Sequence, residues 1–178
     1  MGDCGIFLGM KSAILSKKRN AKSEGNMFRG VNAINIDAKG RIIMPTRYRE
    51  SLKGDNGHIV ITIDTEERCL LLYPFTAWEA IENKLTALPS FNSKARRIQR
   101  LLIGHATECE LDKSGRILLP HLLREYAGLT KIAVLVGQGQ KFELWDDALW
   151  QARREEWLSE ESLLDDAQLP DELKSLSL

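Results

Sequence analysis

The apolar positions of this chain fall into short runs that come round twice in the same order. Ala33–Ile36 alternates like a half-buried strand, and Ile42-Ile43-Met44 reads as a short buried strand. Pro45 then opens a helix expected over Thr46–Leu52, sitting at its first position, where a missing N–H costs nothing. Gly54-Asp55-Asn56-Gly57 reads as a turn. His58–Ile63 and Cys69–Tyr73 read as strands on either side of the polar stretch Asp64–Arg68. Thr76-x-x-Glu79 has the form of a capping box, and the helix behind it puts Trp78, Ile81, Leu85 and Leu88 on one face. Pro89-Ser90 breaks that helix. Lys94–Ile103 reads as another, with Arg96, Arg97 and Arg100 on one side and Ile98, Leu101 and Leu102 on another.

The second half follows the same plan. Cys109–Leu111 is a short strand, Ile117–Leu119 an apolar triplet, and Pro120 opens a helix over His121–Ala127 that Gly128 stops. Thr130–Val136 and Lys141–Trp145 are strands joined by the turn Gly137-Gln138-Gly139. Asp146 is placed to cap a helix running to about Leu158 that carries Trp150 and Trp157. From Glu160 the chain is acidic, and its pattern suits a helix or an unstructured tail equally.

The repetition extends to individual residues. Asp37-Ala-Lys-Gly-Arg-Ile-Ile-Met-Pro45 returns as Asp112-Lys-Ser-Gly-Arg-Ile-Leu-Leu-Pro120, at an offset of 75 residues. Arg49 and Arg124 keep that offset. Tyr73 and Trp78 match Trp145 and Trp150 at an offset of 72, a deletion of three residues. Matches in this order define an internal duplication. In each copy the Asp carboxylate can accept from backbone N–H groups two or three residues on, and Gly supplies a positive φ. D-x-x-G-R is therefore a tight turn with an arginine at its mouth. Each unit is about 45 residues of β-α-β-β, too small to bury a stable core alone. Two copies are expected to intertwine into one shared barrel. The fold class is mainly β with short helices, α+β.

Charge changes the picture. The 178 residues have zero net charge, yet residues 1–106 carry 17 basic and 10 acidic side chains and residues 107–178 carry 8 and 15. That split suggests a basic working surface and an acidic tail. Arg29, Lys39, Arg47 and Arg49 gather round the first turn in sequence. The second has Lys113 and Arg124 but also Glu108, Glu110 and Glu125. The first turn is therefore expected to dominate. Two related basic loops on one rigid body suit a polyanion, and duplex DNA is the expected partner.

Other chemistries find no support. Gly137-Gln138-Gly139 lacks the third glycine and following helix of a dinucleotide site. There is no G-x-S-x-G, H-E-x-x-H or Walker pattern. His58, His105 and His121 are isolated, and Asp37 and Asp112 are turn formers before a catalytic pair. Trp78, Trp145, Trp150 and Trp157 occupy packing positions. Cys4, Cys69 and Cys109 form neither a disulfide framework nor a zinc site, which fits a reducing cytoplasm. No apolar run approaches the roughly 18 residues of a membrane span. The expectation is no catalytic residue, no metal, no cofactor, no small-molecule substrate and no membrane partner. Residues 1–26, with Lys17-Lys18-Arg19, read as a leader outside the repeat plan: a flexible basic arm, or an upstream start with Met27 as the true beginning.

Met27-Phe-Arg-Gly30, Asp37-x-x-Gly-Arg41, Pro45-Thr-Arg-Tyr-Arg49, Tyr73-Pro-x-x-x-Trp78 and Asp112-x-x-Gly-Arg116 together resemble the AbrB-like (SpoVT-AbrB) family of bacterial transcriptional regulators. The resemblance covers the chain from Met27 to about Trp157. It implies two tandem swapped-hairpin β-barrel repeats forming an intrachain pseudo-dimer. It also implies a ring-shaped homo-oligomer, located in the cytoplasm with the nucleoid. Within the family the closest pattern implies binding to short direct repeats in the promoter of its own division and cell-wall operon, mainly as a repressor. The family's D-x-x-x-R motifs face DNA, which points to Asp37, Arg41, Asp112 and Arg116. With their basic and glycine neighbours the candidate DNA-binding set is Arg29, Asp37, Lys39, Gly40, Arg41, Arg47, Arg49, Asp112, Lys113, Gly115 and Arg116. The expected organisation is a leader over 1–26, repeats over 31–78 and 107–150, a helical linker over 79–106, and a C-terminal helix with acidic tail over 151–178. The competing expectation is a structural or antitoxin-like oligomer whose arginines meet acidic protein surfaces.

Overall fold

The computed structural model describes residues 27–54 and 56–159. The expected leader and acidic tail, and Asp55 of the Gly54–Gly57 turn, lie outside the described residues. In chain order the elements are β1 (Phe28–Asn35), β2 (Arg41–Ile43), α1 (Thr46–Lys53), β3 (His58–Ile63), β4 (Leu70–Pro74), α2 (Phe75–Thr86) and α3 (Ser93–His105). They continue with β5 (Thr107–Glu110), β6 (Arg116–Leu118), α4 (His121–Tyr126), β7 (Ile132–Gly139), β8 (Lys141–Asp146) and α5 (Asp147–Ser159). Each half thus runs β-β-α-β-β, with the short strand expected after each turn present as β2 and β6.

The strands belong to a mixed α and β body in which the halves interleave. One sheet has the order β1-β7-β8-β4-β3-β5, and β2 pairs with β6 in a separate two-stranded ribbon. All pairings are antiparallel. β1 of the first half lies on β7 of the second, β5 of the second lies on β3 of the first, and β4 meets β8 in the middle. Exchanging the halves leaves the order unchanged. No half completes its own sheet.

The apolar run of β3 explains its place. Residues Ile59–Ile63 are buried on both faces, as a central strand covered on two sides requires. One face joins the main core with Phe28, Ile42, Tyr48, Ile117, Leu135, Phe142 and Leu144. Here the Phe28, Tyr48 and Phe142 rings meet at centroid distances of 4.1 to 5.9 Å. Helix α3 covers the other face, where the buried Thr62 hydroxyl donates to the Leu102 carbonyl at 2.6 Å. A second cluster, Cys69, Leu71, Val134 and Trp145, lies beneath α5. Trp150 and Trp157 close over Trp145 at 5.7 and 5.8 Å. Arg153 of α5 bonds Glu67 in the β3–β4 turn through Nε at 3.0 Å and also through Nη2. The tryptophans are packing residues, as their positions suggested.

Several local expectations shift. Pro45, Pro74 and Pro120 are each the residue before a helix, with ψ of 137°, 145° and 137°. Proline's fixed φ suits that extended entry as well as the first turn itself. Thr76 consequently lies inside the first turn of α2 and not at the N-cap position that a capping box requires. Asn92 supplies the side-chain cap of α3, accepting from Lys94 N at 2.9 Å and Ala95 N at 3.2 Å. Asp146 caps α5 through Ala148 N as expected. The turn to β8 falls one residue later than expected, at Gly139-Gln140 between the paired Gln138 and Lys141, and Gly137-Gln138-Gly139 lies in β7 opposite Phe28–Gly30. Gly137 is needed there because a Cβ would stand 2.6 Å from the Arg29 nitrogen of β1.

Gly137→Ala should therefore push β1 off the sheet and lower the thermal midpoint, with a cost of about 1–3 kcal/mol typical of overpacking. Gly104→Ala, in α3 with nothing within 4 Å, should be neutral or stabilise by up to about 1 kcal/mol. Equal midpoints for the two variants in thermal unfolding would contradict this account of β1.

Candidate functional site

The two D-x-x-G-R segments fold as near-identical turns. In the first, Gly40 N donates to Asp37 O at 2.8 Å and Asp37 N to Arg41 O at 2.9 Å. The Asp37 carboxylate accepts from Lys39 N and Arg41 N at 2.9 Å each, two and four residues on. Its other oxygen takes Arg41 Nε and Nη2, both at 2.7 Å. In the second, Asp112 accepts from Ser114 N at 2.8 Å, Arg116 N at 2.9 Å and Arg116 Nε at 2.8 Å. Gly40 and Gly115 have φ of 79° and 74°, a conformation side chains resist.

These contacts set the charge. Asp37 is held down to about 2, first by the Arg41 guanidinium and then by the Arg41 and Lys39 N–H groups. Asp112 is also lowered, first by the Arg116 backbone N–H and then by its guanidinium. An ionised carboxylate grips one edge of each guanidinium. The fork has five donors, so this contact leaves further N–H groups that it does not use.

The turns are joined by the ribbon. Arg41 faces Leu118, Ile42 faces Ile117 and Ile43 faces Arg116. Met44 N donates to Gly115 O at 2.9 Å, and Leu119 N to Gly40 O at 3.0 Å, so each strand is tied to the other half's turn. Ile42 and Ile117 are fully buried, with Met44 and Leu119. Ile43 and Leu118 are not: they are 54% and 58% exposed, against the expectation that the whole triplet is core. A strand's period of two puts residues 41 and 43 on one face, and that signal was present in the sequence.

The helix arginines cross over. Arg49 lies against Gly115 of the second turn and donates from Nε to Met44 O at 2.7 Å. Arg124 lies against Gly40 of the first turn, with its buried Nε unpartnered. The structure thus moves Arg49 from the first turn to the second. Arg47 binds Asn32 Oδ1 at 2.7 Å, stacks on Tyr48 at 4.7 Å and backs onto Gly30. It and the exposed Arg29 belong to the β1 side. Glu108 and Glu110 approach His58 at 2.6 and 3.3 Å. The structure brings together Asp37, Lys39, Gly40 and Arg41, and likewise Asp112, Lys113, Gly115 and Arg116. Arg124, Ile43 and Leu118 join them without having been in the expected set. Among the described residues no group of three or more His, Cys, Asp or Glu could hold a metal ion. Among them, too, no helix is long and apolar enough to cross a membrane.

Interleaved antiparallel strands with short helices and two clamped Asp–Arg turns are consistent with the AbrB-like swapped-hairpin class. Within that class, the chain belongs to the MraZ family. The family model described as "MraZ protein, putative antitoxin-like" matches residues 27–101 and again 102–170. The chain is similar to a transcriptional regulator MraZ of Coxiella burnetii, 61% identical over 153 residues, covering 85% of this chain and 100% of the relative. With the same coverage it is 58% identical to the regulator of that name from Legionella pneumophila and 56% to that from Halorhodospira halophila.

The clamp has a signature in acid. Because Asp37 is depressed on folding, its contribution is present above about 4 and is lost as pH falls towards about 2. Carboxyl NMR titration should find the Asp37 midpoint near 2, and Arg41→Gln should raise it towards 3.8 without reaching it, since the N–H donors remain. An ordinary midpoint in the unsubstituted protein would show that the guanidinium is not clamped.

Proposed function

We propose that this chain is a sequence-specific DNA-binding transcriptional regulator that represses its own division and cell-wall operon by binding short direct repeats in the promoter. The observation that carries the reading is the pair of arginines clamped by Asp37 and Asp112 at the two ends of one ribbon. A two-stranded ribbon fits the major groove, and an arginine presenting two N–H groups can fork onto guanine O6 and N7. Lys39 and Lys113 beside them supply phosphate attraction. The relatives named as transcriptional regulators support the same direction.

On this proposal residues 31–78 and 107–150 are two swapped-hairpin repeats making an intrachain pseudo-dimer barrel. The cross-pairing of β1 with β7 and β3 with β5 supports it. Residues 79–106 are the helical linker, and 151–178 the C-terminal helix and acidic tail. The assembly is a ring-shaped homo-oligomer, cytoplasmic and nucleoid-associated, with Arg29, Arg47, Arg49, Gly40 and Gly115 completing the binding set. Arg49 and Gly115 act as one unit, and Arg124 with Gly40 as the other. A second reading, an antitoxin-like protein-binding module, is favoured by the words of the family description.

The crossover of Arg49 and Arg124 narrows the expected difference between the turns. What remains is Arg29 on β1 and Arg47 of α1 bonded to Asn32 of that strand, against Glu108 and Glu110 on β5. Arg41→Ala should weaken operator binding by tenfold or more, within the roughly 1–3 kcal/mol of a good contact, and Arg116→Ala by less. Titration at matched salt on DNA that co-purifies with the protein reads both, and light scattering checks that each variant still assembles. Co-purification of a protein partner with no enriched DNA would favour the second reading. An equal loss would remove the asymmetry alone.

A further inference from the structure

The outward face of the β2–β6 ribbon holds more than arginine. Ile42 and Ile117 point into the core, so Arg41, Ile43, Arg116 and Leu118 point out together. The register puts Arg41 opposite Leu118 and Ile43 opposite Arg116, so the two arginines occupy one diagonal of a four-residue patch and the two aliphatics the other. Residues two apart on a strand are about 6.7 Å apart, and paired strands about 5 Å apart. The arginine roots are then roughly 8 Å apart, a little over two base-pair steps of about 3.4 Å each.

Two large aliphatic side chains, more than half exposed, share this face with two guanidiniums that are each held by the aspartate of their own turn, Asp37 or Asp112. Neither a phosphate nor a guanine edge rewards an aliphatic group. The T methyl does, and it is the one apolar feature the major groove displays. We infer that Ile43 and Leu118 are specificity-determining residues that read thymine C5 methyl groups lying between the two arginine contacts. This rests on the DNA-binding proposal and deepens it. The site recognised is then one in which the base pairs within about two steps of each arginine contact include thymine. The preference comes from apolar contact rather than from hydrogen bonding. A protein surface is a poorer occupant for this patch: it holds Arg41 and Arg116, Lys39 and Lys113 stand in the adjoining turns, and the charge stays positive with Asp37 and Asp112 counted, which suits a polyanion.

The test begins with binding sites enriched from a random duplex library by the full-length protein. Each thymine of the enriched site is then replaced in turn by deoxyuridine, which removes only the methyl group. One or two thymines near the arginine contacts should each cost about fourfold in affinity, as expected for one buried methyl. In the Ile43→Ala/Leu118→Ala double variant that cost should vanish, and each single substitution should abolish it on its own side only. Both side chains are exposed, so thermal unfolding and light scattering should be unchanged. The single variants serve if the double one folds poorly. An enriched site without thymine there, or a methyl cost that the variants retain, overturns the inference and leaves DNA binding standing. Enrichment of no sequence at all overturns both. A variant that loses assembly while keeping the methyl cost gives this face to a contact between copies and also overturns the inference.

Discussion

A strand edge cannot remain unpaired inside a protein, because each N–H and C=O withdrawn from water needs a partner. In this chain that constraint is met across the halves. β1 finds β7, β5 finds β3, and the three-residue β2 finds β6. A three-residue strand has almost no stability by itself. It persists here because Ile42 and Ile117 are fully buried beneath it and because Met44 and Leu119 anchor to Gly115 and Gly40. The turns inherit their rigidity from that anchorage. Everything outward, the arginines, lysines and exposed aliphatics, is positioned by a ribbon that neither half could form alone.

Within each turn, orientation matters more than energy. Arg41–Asp37 and Arg116–Asp112 are solvent-accessible pairs, and such pairs add little to stability. Their effect is on entropy. An arginine fixed at Nε by a carboxylate, itself fixed by two backbone N–H groups, has already lost the rotamer freedom that binding would otherwise remove. The carboxylate needs to be ionised for this, and the guanidinium and N–H groups around it favour that form in both turns. An aspartate beside an arginine reads at first as a waste of positive charge. Here it converts a mobile cation into an aimed donor.

Much of this was legible in the sequence. The duplicated nonapeptide located both turns, the positive-φ glycines and the strands on either side of them. The apolar run of β3 announced a strand, and the tryptophans announced packing. What failed did so for tertiary reasons. Gly137-Gln138-Gly139 has a turn's composition but pairs with β1, and only Gly137 must be glycine there, because β1 approaches it too closely for a side chain. Ile43 and Leu118 look like core in a one-dimensional reading and are exposed because their strands have only one buried face. Arg49 follows the first turn in sequence yet touches the second. Linear proximity misleads wherever strands exchange between halves, and no periodicity in the chain reports an exchange.

That exchange also determines how the two halves differ and how they remain coupled. Residing in one chain, they pair at a concentration fixed by their connection rather than by dilution. They are therefore free to diverge without losing one another. Where the second half carries Glu108 and Glu110, the first has Ala33 and Asn35 at the matching offset. Divergence is nevertheless limited at the ribbon. Arg49 lies beneath Gly115 and Arg124 beneath Gly40, so a change in either helix is felt first by the opposite turn. Residues in contact do not contribute additively. The two turns consequently form one surface with two ends, and they differ at the helix arginines: Arg49 Nε donates to Met44 O, whereas the buried Nε of Arg124 has no partner.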